Sequence, residues 1–242
     1  MSETNTNINI PMDKRLHINI LRGFVFDFDG TLVDSKIDFP RMKKEIVLLL
    51  KKGGVYIDGA ERKLYALELI ELGCKALSKK PDLQERFKKE AFSIIEQLEL
   101  ERCHFATAFP RVEATLKRLS ELGYKIGIIS RNGKAAIQAV LSRISLHHDV
   151  VLCRDDVENI KPDPGHLLKA IEALGVEPRE VAMVGDHPID IKCGRAARVF
   201  TIGVLTSVSS RKDLQMAGAD LVIPDVSHIM DLLDGKNLTP ST

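Results

Sequence analysis

The stretch GFVFDFDGTLVDS, Gly23 to Ser35, places two carboxylates, Asp27 and Asp29, on the same side of an apolar run. Burying like charges together is costly, so an apolar strand finishing in this way calls for a chemical reason. Three more runs end in polar residues of the same kind. They are Ser130-Arg131-Asn132-Gly133 after YKIGIIS, Lys161 in IKPDP after DVVLC, and Asp186 with Asp190 in GDHPID after EVAMV. If the runs are neighbouring strands, three or four acids, a hydroxyl and an ammonium gather at one edge. The carboxylates alone would repel one another, and a bound divalent cation reverses that balance.

The elements that must hold these groups are legible as alternation. FVFDFD, YKIGIIS, DVVLC, EVAMVGD, VFTIGV and DLVI are six candidate strands. Amphipathic helices lie between them, one carrying Val112, Leu116, Leu119 and Leu122, another Leu167, Leu168, Ile171 and Leu174. Strands apolar on both faces and separated by helices predict an α/β fold with a doubly wound, Rossmann-like parallel sheet as its core. Ligands of such sheets collect outside the carboxyl ends of the strands, where the polar residues lie. Residues 37–105 break the alternation with helical spacing throughout, as in Phe87, Ala91, Ile94, Ile95 and Leu98, and predict an all-helical inserted domain. The expected organisation is a flexible extension over 1–19, a core over 20–36 and 106–235, the insertion over 37–105, and a flexible tail over 236–242.

On these four motifs, in order and at strand ends, the sequence resembles the haloacid dehalogenase superfamily, specifically its phosphoglycolate phosphatase-like branch. The resemblance covers residues 22–233. It implies that Asp27 is a nucleophile forming an aspartyl-phosphate, that Asp29 is the general acid and base, and that Lys161 offsets charge on both nucleophile and phosphate. It implies Mg²⁺ held by the Asp27 carboxylate, the Asp29 backbone carbonyl and Asp186, with Asp190 orienting a neighbouring group. Ser130, with Arg131 and Asn132 behind it, would hold the phosphoryl group. The family often has Asn directly after the motif-two hydroxyl, where this chain has Arg131, a guanidinium able to grip a second anionic group of a substrate. The insertion becomes a cap that closes over the site, with Tyr56 and Arg62 as candidates for specificity.

Taken singly, Ser130 reads as a helix cap and Lys161 as a surface residue. His187 is not read as a ligand, because the matching family position is usually small and polar; His147-His148 reads as a loop or helix end. A sugar phosphomutase of the β-phosphoglucomutase type keeps both acids and remains an alternative, as does a non-catalytic binding protein on the same scaffold. Asp29 argues against dehalogenase and phosphonate hydrolase chemistry, whose enzymes lack that acid.

Composition narrows the partners. Among 242 residues, 35 Lys and Arg face 34 Asp and Glu, without the basic excess of a nucleic-acid binder. No run reaches membrane-spanning length, and the first 19 residues do not read as a signal peptide. Cys74, Cys103, Cys153 and Cys193 form no CxxC pair and read as thiols in a reducing cytosol. The expected protein is a cytoplasmic monomer or homodimer acting on a small phosphorylated substrate, with no nucleic acid and no membrane as partner.

Overall fold

The computed structural model describes residues 12–57, 59 and 64–234. In chain order, helix α1 (Met12–Ile20) leads into strand β1 (Gly23–Asp27) and a two-residue strand β2 (Val33–Asp34). Three helices follow, α2 (Phe39–Lys52), α3 (Ala66–Ala76) and α4 (Pro81–Arg102), then the short strand β3 (Thr107–Ala108). The rest alternates: α5 (Val112–Glu121), β4 (Lys125–Ile129), α6 (Lys134–Leu141), β5 (Val150–Leu152), α7 (Pro164–Leu174), β6 (Val181–Gly185), α8 (Pro188–Ala196), β7 (Phe200–Val204), α9 (Arg211–Met216), β8 (Leu221–Ile223) and α10 (Ile229–Asp234).

Six of these eight strands form one parallel sheet in the order β5-β4-β1-β6-β7-β8, and β2 and β3 pair separately and antiparallel. From β1 the chain moves outward through β4 to β5, then returns to lay β6 along the other edge of β1, so the order reverses at β1. This is a doubly wound α/β core. The central strands β1, β6 and β7 are buried along their whole length, whereas the edge strand β5 is only half-buried. That gradient is why the central strands read as unbroken apolar runs. Val25 and Met183 of the sheet pack with Leu167, Ala170, Ile171 and Leu174 of α7 and Cys193 of α8.

Caps set where the helices point. Asp163 accepts a hydrogen bond from Gly165 N (2.7 Å) ahead of α7, and Pro164 fills the first helical position, where no N–H is needed. At α8 His187 is the cap: its Nδ1 accepts from Ile189 N (3.2 Å), while Asp190 accepts from His187 N (3.1 Å). His187 therefore spends its ring nitrogen on the helix end.

The described residues fall into two compact units, one taking in Lys36–Phe105 with Ala135–Val140, the other the remainder. The helical unit has its own core, in which Met42, Ile46, Leu49 and Leu50 of α2 meet Leu69 and Ile70 of α3 and Phe87, Ala91, Ile95 and Leu98 of α4. Gly73 of α3 allows this close packing, since a Cβ there would lie 2.5 Å from both Leu50 and Phe87. Tyr56 is 79% exposed, and Arg62 lies outside the described residues.

Three sequence expectations are corrected. The segment expected as a flexible extension contains α1, which is tied down: Ile18 is buried, Lys14 pairs with Asp220 at 2.8 Å, and His17 stacks on Phe200 with ring centroids 5.7 Å apart. On α7 the buried face carries His166 with Leu167, while Leu168 is exposed. On α5 Leu122 ends the helix and is exposed; Thr115 takes a place on the buried face. The four cysteines are free thiols, and among the described residues no helix is long and apolar enough to cross a membrane.

Candidate active site

Because β4, β1 and β6 lie side by side and parallel, their carboxyl ends form a row. Asp27 ends β1 opposite Ile129 of β4, so Ser130 follows on one side and Asp186, directly after Gly185 of β6, on the other. Asp27 is 8% exposed, and Ser130 and Asp186 are buried as well. Lys161 is no surface residue: its side chain is 1% exposed and its Nζ donates to Asp27 Oδ1 and, at 2.7 Å, to Asp190 Oδ1. Carboxylate oxygens of Asp27, Asp186 and Asp190 come within 4.8 Å of one another.

Each acid is held differently. Asp190, in the first turn of α8, spends one oxygen on Lys161 and the other on His187 N, so it orients the lysine. Asp186 accepts from Thr31 Oγ1 at 2.7 Å and from Ser207 Oγ. Asp29 is held by Ser35, whose backbone N donates a long bond to Oδ1 (3.3 Å) and whose side chain also hydrogen-bonds the carboxylate, while Oδ2 is buried without a hydrogen-bond partner. A buried carboxylate oxygen left bare is costly unless the group is protonated or a ligand meets it.

Electrostatics follow from this crowding. Burial pushes Asp27 well above the usual carboxylate range; Lys161 pulls against that, and Asp190 and Asp186 add to it. Asp29 is pushed up to about 6, first by burial and further by Asp186, against the hydrogen bonds from Ser35. Asp186 is raised by burial and by Asp190, with Ser207 and Thr31 opposing. Burial works to lower Lys161, but the Asp190 and Asp27 carboxylates outweigh it, so the ammonium stays charged. One ammonium thus faces three buried carboxylates, an excess of negative charge that a hard cation would neutralise. The donor set is oxygen throughout, which suits Mg²⁺ rather than a softer metal.

Gly30 lets the two sides of the site approach. Its φ is +87°, and a Cβ there would lie 2.6 Å from Asp186 Oδ2. Gly30→Ala should therefore displace Asp186 and lower kcat/KM by about a hundredfold or more, since misplacement of about 1 Å is enough for such a loss. An alanine variant with undiminished kcat/KM would show that this close approach is dispensable.

Ser130 and Asn132 are buried at the end of β4, where Ser130 Oγ accepts from Asn132 N (3.1 Å) and shapes the turn. The backbone carbonyls of Arg131 and Asn132 both accept from Arg154, through its Nη1 (3.0 Å) and its backbone N (3.1 Å) respectively. Asp27, Asp186, Asp190 and Lys161 are thus brought into one cluster, with Asp29, Ser130 and Asn132 around the same strand ends. Sequence reasoning gave Thr31, part of the first motif, no role of its own and passed over Thr206 and Ser207. Thr206 Oγ1 donates to the Gly30 carbonyl, so the chain after β7 braces both Gly30 and Asp186. The available signal was the hydroxyl pair closing the apolar run of β7.

His166 was also missed as a titrating group. It is fully buried, its Nε2 donates to Leu152 O at 3.2 Å, and its Nδ1 has no hydrogen-bond partner. Burial, and then the nearby Lys161 charge, lower its pKa to about 4. The unfolded chain, with an ordinary imidazole near 6.5, binds more protons between those values. Stability is therefore fully present above pH 6.5 and is lost as pH falls towards 4, by about 3 kcal/mol in total. The raised acids of the site act in the opposite sense and are common to both proteins, so in urea unfolding from pH 7 to pH 4 wild type should lose stability relative to His166→Gln by up to that amount; a difference independent of pH would remove His166 as the cause.

A doubly wound parallel sheet with paired acids after its first strand, a buried lysine and further acids after the returning strand defines a class of hydrolase. The chain matches the haloacid dehalogenase-like hydrolase family over residues 24–204. It belongs to that family, as a phosphatase-type enzyme. Among curated proteins it is 31% identical to the pyrophosphatase PpaX of Bacillus mycoides over 225 residues, covering 88% of this chain and 97% of that protein. The Bacillus cereus AH820 PpaX is 30% identical with similar coverage, 88% and 96%. Among solved structures, a haloacid dehalogenase-like hydrolase of Bacteroides fragilis superposes with a TM-score of 0.66 at 25% identity, covering 86% of this chain and 99% of its own. A β-phosphoglucomutase-like protein of Bacteroides vulgatus shares the fold at TM-score 0.66 and 20% identity, covering 93% and 96%.

Proposed function

We propose that the chain is a Mg²⁺-dependent phosphatase hydrolysing a small phosphorylated metabolite through an aspartyl-phosphate on Asp27. The observation that carries this reading is the buried contact of Lys161 with both Asp27 and Asp190 beside Asp186, an arrangement with too few cations for its acids. Asp27, the Asp29 backbone carbonyl and Asp186 would hold Mg²⁺. When bound, the ion neutralises charge between the acids and a dianionic phosphate.

The chain's own groups do the rest. Lys161 keeps Asp27 aimed into the crevice and offsets charge that builds on the phosphoryl oxygens. Ser130 and backbone N–H groups at the strand ends receive those oxygens. Asp29, with a pKa near 6 and a bare oxygen, holds a proton over part of the neutral range, gives it to the leaving alkoxide, and takes one from the attacking water afterwards.

This division of labour predicts a kinetic signature. With an aryl phosphate, whose leaving group needs little protonation, Asp29→Asn should release about one equivalent of phenol rapidly and then turn over about 10²- to 10⁴-fold more slowly. A uniform loss without a burst would deny Asp29 its role in the second step. The substrate is best sought by measuring phosphate release as kcat/KM on a panel of phosphorylated metabolites, headed by inorganic pyrophosphate because the curated relatives carry that activity in their name. Conversion of a sugar 1-phosphate to an isomer without free phosphate would instead favour a mutase.

A further inference from the structure

A cavity lined by charged residues lies in the core unit, outside the acid cluster. Arg179, just before β6, Arg195, in the last turn of α8, and Arg198, beyond it, line a cavity of about 320 Å³ with His17, Phe200 and Asp220. Like charges are gathered here as well, with the opposite sign. Asp220 is the cavity's carboxylate, and it is engaged already by Lys14 at 2.8 Å and by Thr201 N at 2.9 Å; Arg195 stands 3.8 Å away. Among the described residues Arg179 and Arg198 have no ion-pair partner. Three arginines around one concavity give it a local excess of positive charge, and their planar donor forks suit phosphate oxygens in pairs.

The cavity also has an aromatic side. His17 stacks on Phe200 at an interplanar angle of 18°, with Phe200 buried and His17 exposed, so a flat imidazole faces outward on an apolar support. An arginine cluster beside a flat aromatic surface, in a volume near the lower end of small-molecule pockets, matches a ligand with a planar base and phosphates. We propose that this cavity binds a nucleoside phosphate, its phosphates on Arg179, Arg195 and Arg198 and its base against His17. Helix α1 then has a purpose that its polar sequence does not announce, which is to supply one wall of the site. The inference does not depend on the reaction proposed for Asp27.

The test uses the full chain in EDTA, so that no metal draws phosphates to the acid cluster, with ADP as the probe. Expected are a saturable shift of the His17 ring resonances in NMR and tighter binding of ADP than of inorganic phosphate by titration calorimetry. The double variant Arg179→Gln, Arg198→Gln should weaken ADP by about tenfold or more, as loss of charged hydrogen bonds does. Its Mg²⁺-supported hydrolysis of an aryl phosphate should stay within about twofold of wild type, as expected of exposed substitutions. An unmoved His17 resonance, or unchanged ADP affinity in the double variant, would overturn the site. Equal affinity for ADP and inorganic phosphate would overturn the base contact.

Discussion

Asp27→Asn is expected to lower phosphate release from an aryl phosphate by about 10⁴-fold or more, the scale on which removal of a covalent nucleophile acts. The substitution keeps the shape of the side chain and an oxygen able to accept from Lys161. It also removes one of three carboxylates crowded within 4.8 Å, so folding should survive and the urea midpoint should hold or rise. The loss therefore reports on chemistry. Wild type quenched during turnover of a labelled substrate should carry label on the protein, and the variant should carry none. Activity within tenfold of wild type, or label retained by the variant, would mean that Asp27 does not attack phosphorus.

The core was legible because its physics is local. Strands β1, β4, β6 and β7 are buried on both faces and so spell themselves as apolar runs, and the acids stand out against them because nothing structural needs a carboxylate there. What escaped detection depends on contacts between distant residues. Strands β2 and β3 have two residues each, too short for any periodicity, and form only because the chain returns to pair Val33 with Ala108. Helix α1 has Ile18 as an apolar anchor, but its ties to Asp220 and Phe200 span about two hundred residues of sequence and leave no local trace. Ser130 and Lys161 illustrate the reverse case. Each has an innocent reading alone; the sheet order, which lays β4 beside β1, makes Ser130 a neighbour of Asp27, and the connection between β5 and α7 carries Lys161 back to it.

Lys161→Met is expected to cost about 3–5 kcal/mol of stability, the scale for breaking a buried charge pair, because it leaves Asp27 and Asp190 facing each other with no cation. In a protein of this size that corresponds to a fall in Tm of about 10 °C. The sign of its pH dependence identifies the cause. Without the ammonium, nothing offsets the burial and neighbouring carboxylates that already raise Asp27, so its pKa rises further above the unfolded value, and the folded variant binds more protons and gains stability as pH falls. Wild type keeps Lys161 charged across this range, its raised pKa placing loss of the pair at alkaline pH. In metal-free buffer the deficit of the variant should therefore be larger at pH 8 than at pH 5, and Lys161→Arg, which restores a positive charge, should recover part of it. A deficit independent of pH would assign the loss to packing around a long buried side chain, and the electrostatic account of the site would fail at its centre.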